Sequence, residues 1–171
     1  QLECYRRILR IKKNDYEKPF CYAAQNKNLE SLFNSTSGSA FAALAEKMYK
    51  LGGYVGGAVF NEDYSVTQFI SSDKADLEKI RNSKYVQSDT KEIFAQAKAD
   101  LDNGETVLFS GTPCQIAGLK SFLRKDYEKL LTVDLVCHGV PSPKIFEMYK
   151  KEYIKQQLQS LNFRDKSRGW N

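Results

Sequence analysis

Two cysteines stand where the sequence changes character. Cys114 lies in Gly111-Thr112-Pro113-Cys114-Gln115, and Cys137 in Val136-Cys137-His138-Gly139-Val140-Pro141-Ser142-Pro143. Each sits where an apolar run, residues 106–109 or 131–136, gives way to a helix-like pattern. In an alternating β/α chain that is the C-terminal end of a strand, where open sheets bind ligands and do chemistry. Soft, ionisable sulfurs at such edges suit redox or metal chemistry. In the first motif Gly111 lets the chain turn close past a ligand, and Pro113 fixes the start of a helix. Cys114 then falls near a helix N-terminus, whose dipole favours thiolate, the form that ligates iron or attacks an electrophile. A phosphatase fits poorly, because Lys120 would stand where phosphate chemistry needs a bidentate guanidinium. Cys137 and His138, the only histidine, admit a Cys–His nucleophile pair, but neighbours on an extended segment point to opposite faces. His138 therefore reads as a loop residue bonded to backbone. Cys4 and Cys21 read as structural or incidental.

Two other segments offer groups that an anion or a planar ring would use. Ser35, Thr36, Ser37, Gly38 and Ser39 precede a helical pattern. Free N–H groups and the helix dipole there favour a cofactor phosphate, and plain helix capping is the competing reading. In Ser83-Lys84-Tyr85-Val86-Gln87-Ser88, Lys84 offers a cation for phosphate and Tyr85 a ring for stacking, although surface strands carry such residues too. Gly52-Gly53-Tyr54-Val55-Gly56-Gly57 precedes a strand instead of linking strand to helix. That is the wrong context for a dinucleotide fingerprint, so these glycines read as structural.

The elements that must position these groups follow from periodicity. Residues 1–18 carry a loose helical pattern (Leu2, Tyr5, Ile8, Leu9) with a basic face, and residues 20–24 suit a short strand. Phe41, Leu44, Ala45, Met48 and Leu51 follow helical spacing, with hydroxyls before them as N-caps and Gly52 and Gly53 as the stop. Residues 55–60 and 65–70 read as a hairpin turning at Asn61-Glu62-Asp63. A capped helix over 72–80 and a strand over 84–87 follow. Asp89 and Glu92 resemble a capping box opening a helix that ends near Gly104. Strand 106–109, helix 116–124 and strand 130–136 come next. Pro143 behind Ser142 opens a helix to about residue 157, and 161–163 suits a last strand.

Alternating strands and helices predict an α/β fold, a mostly parallel sheet flanked by helices, with a β-hairpin insertion in the N-terminal half. The division expected is a basic terminal segment (1–18), an N-terminal subdomain with the serine-rich loop, helix and hairpin (19–88), and a truncated C-terminal α/β subdomain (89–171). With 171 residues, 42% hydrophobic and 27% charged, the chain has ordinary globular composition. Its net charge of +5 fits a phosphate-bearing cofactor or an acidic partner protein. Nucleic-acid binding needs a more concentrated basic face. No apolar run approaches the ~20 residues of a membrane span, and no signal-peptide pattern opens the chain. Four scattered cysteines argue for a reducing compartment, and a cytoplasmic protein is expected. The chain begins without Met and ends at Trp170-Asn171, which reads as a piece of a longer protein.

Five segments, in order, resemble one family. They are Ser35-Thr36-Ser37-Gly38, Ser83-Lys84-Tyr85-Val86-Gln87-Ser88, Leu108-Phe109-Ser110-Gly111-Thr112-Pro113-Cys114-Gln115, Asp134-Leu135-Val136-Cys137-His138-Gly139 and Asn162-Phe163-Arg164-Asp165-Lys166. The family is the beta subunit of coenzyme F(420) hydrogenase/dehydrogenase; the coenzyme is a deazaflavin hydride carrier. The resemblance implies an FAD-containing iron–sulfur oxidoreductase that passes electrons between a cluster, flavin and a hydride carrier. It implies an FAD site at Ser35, Thr36, Ser37, Gly38, Ser39, Ser83, Lys84, Tyr85, Gly111, Thr112 and Gln115. Cys114 and Cys137 become candidate ligands of a 4Fe-4S cluster. The implied partners are an electron-donor or acceptor subunit and a soluble carrier of deazaflavin or nicotinamide type. No side chain need act as general acid or base, so no catalytic residue is assigned, and the fragment alone is expected to fold without turnover. Ser39 stands where the family usually has a second glycine, and the upstream ferredoxin-like cysteine array of longer members is not reproduced. The rival reading is a redox-silent docking module that keeps the fold without the cofactors.

Overall fold

A computed structural model describes residues 21–164, so the basic segment at the start lies outside the described residues. Among them four strands form one sheet in the order β2-β1-β3-β4, with β1 at Tyr54–Phe60, β2 at Val66–Ser71, β3 at Val107–Gly111 and β4 at Leu130–Asp134. The β1–β2 pair is antiparallel; β1–β3 and β3–β4 are parallel. This is the expected α/β architecture, and the hairpin lies in the N-terminal half as expected. Among the described residues six α-helices flank the sheet: α1 (Leu29–Phe33), α2 (Ala40–Lys50), α3 (Leu77–Ile80), α4 (Ile93–Asp102), α5 (Pro113–Leu123) and α6 (Pro143–Tyr153).

Strand β3 is the centre of the molecule. All five of its residues are buried, the near-continuous apolar run expected of a parallel strand covered on both faces. Alternation divides them between two cores. Val107 and Phe109 join Ile70, Ile93, Ala97, Leu101, Ile116, Leu119 and Leu123 under α4 and α5. Leu108 joins Ala42, Ala45, Met48, Val55, Val59, Leu77 and Ile80 under α2 and α3. The β1 glycines serve this packing, as the sequence suggested. A Cβ on Gly56 would sit 2.9 Å from atoms of both Ile70 and Phe109, and one on Gly57 would sit 2.5 Å from Ile80. A third, aromatic cluster joins Val66, Val86 and Phe146 to Phe60, Tyr64, Leu161 and Phe163.

Several local expectations fail. Residues 21–24, 84–87 and 161–163 are not strands. In the last two, apolar side chains are explained by packing without a ladder: Val86 is buried and Leu161 and Phe163 pack against the aromatic cluster, whereas residues 21–24 are exposed. Asp89 forms an isolated bridge with Thr67, and its carboxylate accepts from the Lys91 N–H at 2.9 Å. It therefore turns the chain instead of capping α4, whose N-cap position is Glu92 with no side-chain cap. The helix expected over 72–80 opens as a 3-10 turn (Lys74–Asp76) capped by Asp73. Helix α5 starts at Pro113, three residues earlier than expected, β4 ends at Asp134, and α6 ends at Tyr153.

Candidate functional site

The parallel pairing of β3 with β4 brings the two cysteine motifs to one sheet edge. Gly111 is in register with Asp134, and the Leu135 N–H donates to the Gly111 carbonyl at 2.9 Å. The chain then leaves β3 through Thr112 and Pro113 into α5, and leaves β4 toward Cys137. Cys114 Sγ lies 3.1 Å from Thr112 Oγ1, and the Gly139 N–H donates to Cys137 Sγ at 3.4 Å. Both thiols are exposed, as is His138. Among the described residues no group of three or more His, Cys, Asp or Glu side chains could hold a metal ion.

Gln115 ties this edge to the rest of the molecule. Its Oε1 accepts from the Thr112 N–H at 3.1 Å and from Gln68 Nε2 at 3.3 Å. Its Nε2 donates to Ser88 Oγ at 2.7 Å, and Gln68 Nε2 donates to the same oxygen at 3.1 Å. Gln68 is buried, and its Oε1 has no partner. Sequence reading missed this role of Gln68 and saw Ser88 only as a flanking hydroxyl. The available signal was a long amide in strand β2, between apolar Val66 and Ile70.

The serine-rich loop is built differently from a set of N-caps. Ser39 occupies the N-cap position of α2 at φ +61° but makes no side-chain cap. Its Oγ donates to the Ser31 carbonyl at 3.1 Å and lies 3.3 Å from Ser31 Oγ, fastening the loop to α1. Ser37 also has a left-handed backbone, at φ +52°, a conformation that glycine adopts far more readily. The capping expectation is therefore corrected for Ser39: it binds α1 and leaves the first N–H groups of α2 without a side-chain cap. No acidic residue stands in the first turn of α2. Ser35 Oγ is buried without a partner. Free helix-terminal donors and an orphaned hydroxyl are the chemistry a cofactor phosphate would use, so the loop fits that group.

Between these regions lies the Ser83–Lys84–Tyr85 segment. Asn82 Nδ2 donates to the Asn34 carbonyl at 3.2 Å, next to the serine-rich loop, while Ser88 reaches Gln115. Hydrogen bonds from residues on either side of Ser83–Lys84–Tyr85 thus reach the chain beside the serine-rich loop and the Gly111 to Gln115 turn. Lys84 Nζ points into the C-terminal end of α3, 2.8 Å from the Lys79 and Arg81 carbonyls, 3.0 Å from that of Ile80 and 3.2 Å from that of Asn82. Its ammonium is thereby engaged with backbone, where a cation complements a helix C-terminus. Tyr85 meets the ring of Phe163 edge-on at 5.7 Å, and its hydroxyl accepts from Arg164 Nε at 2.9 Å.

Burial lowers the Lys84 pKa to about 8, and burial also raises that of Tyr49 to about 12. The unfolded chain keeps a proton on Lys84 up to its ordinary value, whereas the folded chain sheds it above 8. Stability therefore rises between pH 8 and 10 as the cost of the buried charge is relieved, by at most about 2 kcal/mol. Above 10 the unfolded tyrosine ionises first, which opposes the rise. The lysines paired with carboxylates, Lys79, Lys98 and Lys125, are shifted upward and titrate above this window. Urea midpoints measured at pH 8, 9 and 10 should increase, and the increase should vanish in Lys84→Met; an unchanged slope in that variant would refute the assignment.

Residues 104–169 match a family model, that of the C terminus of the coenzyme F(420) hydrogenase/dehydrogenase beta subunit. Three of the five motifs that carried the resemblance lie in that span. No curated protein matches the chain. A solved chain from the F(420)-reducing NiFe hydrogenase complex of Methanosarcina barkeri has a similar fold, with TM-score 0.58 and 20% identity over 79% of this chain and 51% of that one. The chain thus spans about half the length of that solved chain. Among the described residues no helix is long and apolar enough to cross a membrane.

Proposed function

We propose that this chain, whose residues 104–169 match the coenzyme F(420) hydrogenase/dehydrogenase beta subunit, is the FAD-binding portion of a flavin-dependent iron–sulfur oxidoreductase. The observation that carries the proposal is that hydrogen bonds on either side of the Ser83–Lys84–Tyr85 segment tie Asn82 to Asn34, beside the serine-rich loop, and Ser88 to Gln115. The N–H groups opening α2, with the buried Ser35 hydroxyl, would hold a phosphate of FAD. Gly111 would let the backbone approach the cofactor, Thr112 and Gln115 would shape that turn, and Tyr85 would lie along a ring. FAD, when bound, supplies exchange between hydride and single-electron carriers. The protein's part is to bind it, orient it and exclude water.

Cys114 and Cys137 are proposed as thiolate ligands only. A 4Fe-4S cluster takes four cysteines, and the described residues do not bring a third ligand to this edge. Among the described residues they do not build a cluster site by themselves. The proposed partners are an electron-exchanging protein subunit and a soluble hydride carrier, and the proposed location is cytoplasmic.

Flavin absorbance and iron content of the purified full-length protein separate this reading from a redox-silent module. Gly111→Val gives the local test. A Cβ there would already sit 3.1 Å from Gln115 Oε1 and 3.2 Å from its Cβ, and valine adds two methyl groups. The variant should retain its far-ultraviolet circular dichroism and lose its flavin. Full flavin occupancy would remove this turn from the site.

A further inference from the structure

The hydrogen bonds around Gln115 have a polarity, and that polarity assigns roles to Gln68, outside every motif, and to Ser88, at the end of one. We infer that Gln68 and Ser88 are positioning residues for the Gly111 to Gln115 turn, acting through the direction in which each hydrogen bond is donated; the functional part of this inference rests on the flavin site proposed above. Gln115 Oε1 receives two donors, the Thr112 N–H and Gln68 Nε2. Ser88 Oγ receives two more, from Gln115 and Gln68. Gln68 thus donates to both of its neighbours, and Gln115 can hold the Thr112 N–H only while its oxygen faces that way. If the Gln115 amide turned over, its NH2 group would face two donors and the N-terminal turn of α5 would open. Gln68, anchored on β2 opposite Ala58, prevents this by presenting N–H to the oxygen. A turn that begins on β3 is therefore set from the far edge of the sheet, across β1.

Two isosteric carboxylates distinguish polarity from packing. In Gln115→Glu the carboxylate still accepts from Thr112 and Gln68, and the Ser88 hydroxyl can rotate to donate to it. In Gln68→Glu the new carboxylate meets Gln115 Oε1, acceptor against acceptor, and Gln115 must turn away from Thr112. Both changes add the same charge and nearly the same volume. The experiment is amide hydrogen exchange at Thr112 in cofactor-free full-length protein, followed by FAD titration of wild type and the Gln68 variants. Gln68→Glu should speed exchange at Thr112 about tenfold, the loss of one hydrogen bond's worth of protection, and Gln115→Glu should stay within about twofold of wild type. Gln68→Met, which keeps the packing and removes the donor, should fall on the fast side. Equal exchange in the two carboxylate variants, or wild-type exchange in Gln68→Met, would overturn the inference.

The titration reads the functional part separately. FAD affinity should fall in Gln68→Glu and Gln68→Met, the variants with fast exchange at Thr112; Gln115→Glu changes a residue of the proposed site itself and is read by exchange alone. Fast exchange in the Gln68 variants with wild-type FAD affinity would keep the positioning of the turn and overturn its link to flavin. Failure of the wild type to bind FAD would sink the proposed function, with the exchange asymmetry still deciding the network.

Discussion

Phe109→Ala is expected to cost about 3–5 kcal/mol of folding stability, the range for truncating a fully buried phenylalanine. The site gives little opportunity to collapse around the loss. Phe109 is completely buried in the central strand, with Phe94 edge-on at 6.1 Å. Across the sheet the neighbouring strand carries Gly56, where a Cβ would sit 2.9 Å from the Phe109 ring. Strand β1 has therefore surrendered a side chain to make room for this ring, and alanine would leave both sides of the gap unfilled. Domains of this size hold about 5–15 kcal/mol in total, so the variant should unfold at a much lower urea concentration. Phe122→Ala provides the contrast, since Phe122 is 46% exposed and should lose far less. Comparable losses in the two variants would mean that the central strand is not where the stability resides.

Gly38→Ala is expected to displace the serine-rich loop. A Cβ at Gly38 would fall 2.2 Å from the Ala24 carbonyl oxygen and 3.3 Å from its carbon. The obstructing atoms are backbone, so no rotamer change relieves them. The Gly38 carbonyl also accepts from the Asn26 N–H at 2.8 Å, so moving one segment breaks the bond between them. The damage is local, and overpacking of this kind costs about 1–3 kcal/mol. The effect on the proposed cofactor should be larger than the effect on folding, because the same loop presents the opening N–H groups of α2. FAD affinity of the full-length protein should fall by at least about a hundredfold, equivalent to about 2.7 kcal/mol, with a modest loss of thermal stability. Wild-type FAD affinity in a folded Gly38→Ala protein would place the phosphate elsewhere.

The sequence was most legible where a periodic pattern coincided with a chemical stop. Helix α2 shows both, with apolar residues at helical spacing and Gly52 at φ +74° just beyond it. The hairpin and β3 were equally clear, because each is an apolar run closed by a turn. Short apolar pieces were misread. Val86, Leu161 and Phe163 look like strand residues, but a three- or four-residue apolar run does not say whether its backbone joins a ladder. Their burial depends on Phe60 and Phe146, which are far away in the sequence. At the site, local turns such as Gly111-Thr112-Pro113 could be read directly. The Gln68–Ser88–Gln115 network could not, because a donated hydrogen bond across forty-seven residues leaves no mark in spacing. Ser39 illustrates a third case. A serine before a helix ordinarily caps it, but here a left-handed backbone turns the hydroxyl onto α1 instead.

Strand β4 carries a consequence for behaviour in concentrated solution. Among the described residues it pairs only with β3, so within them its outer backbone groups have no strand partner. Leu131 is exposed on it, and Leu135 and Val136 are exposed immediately after it. An open, apolar margin of this kind is a template for strand addition. Within Leu130–Asp134 the only charge is Asp134, at the end nearest the cysteine motifs, and Lys129 stands just before the strand. These two charges stand as gatekeepers at either end of that stretch, where a like charge on an approaching strand opposes addition.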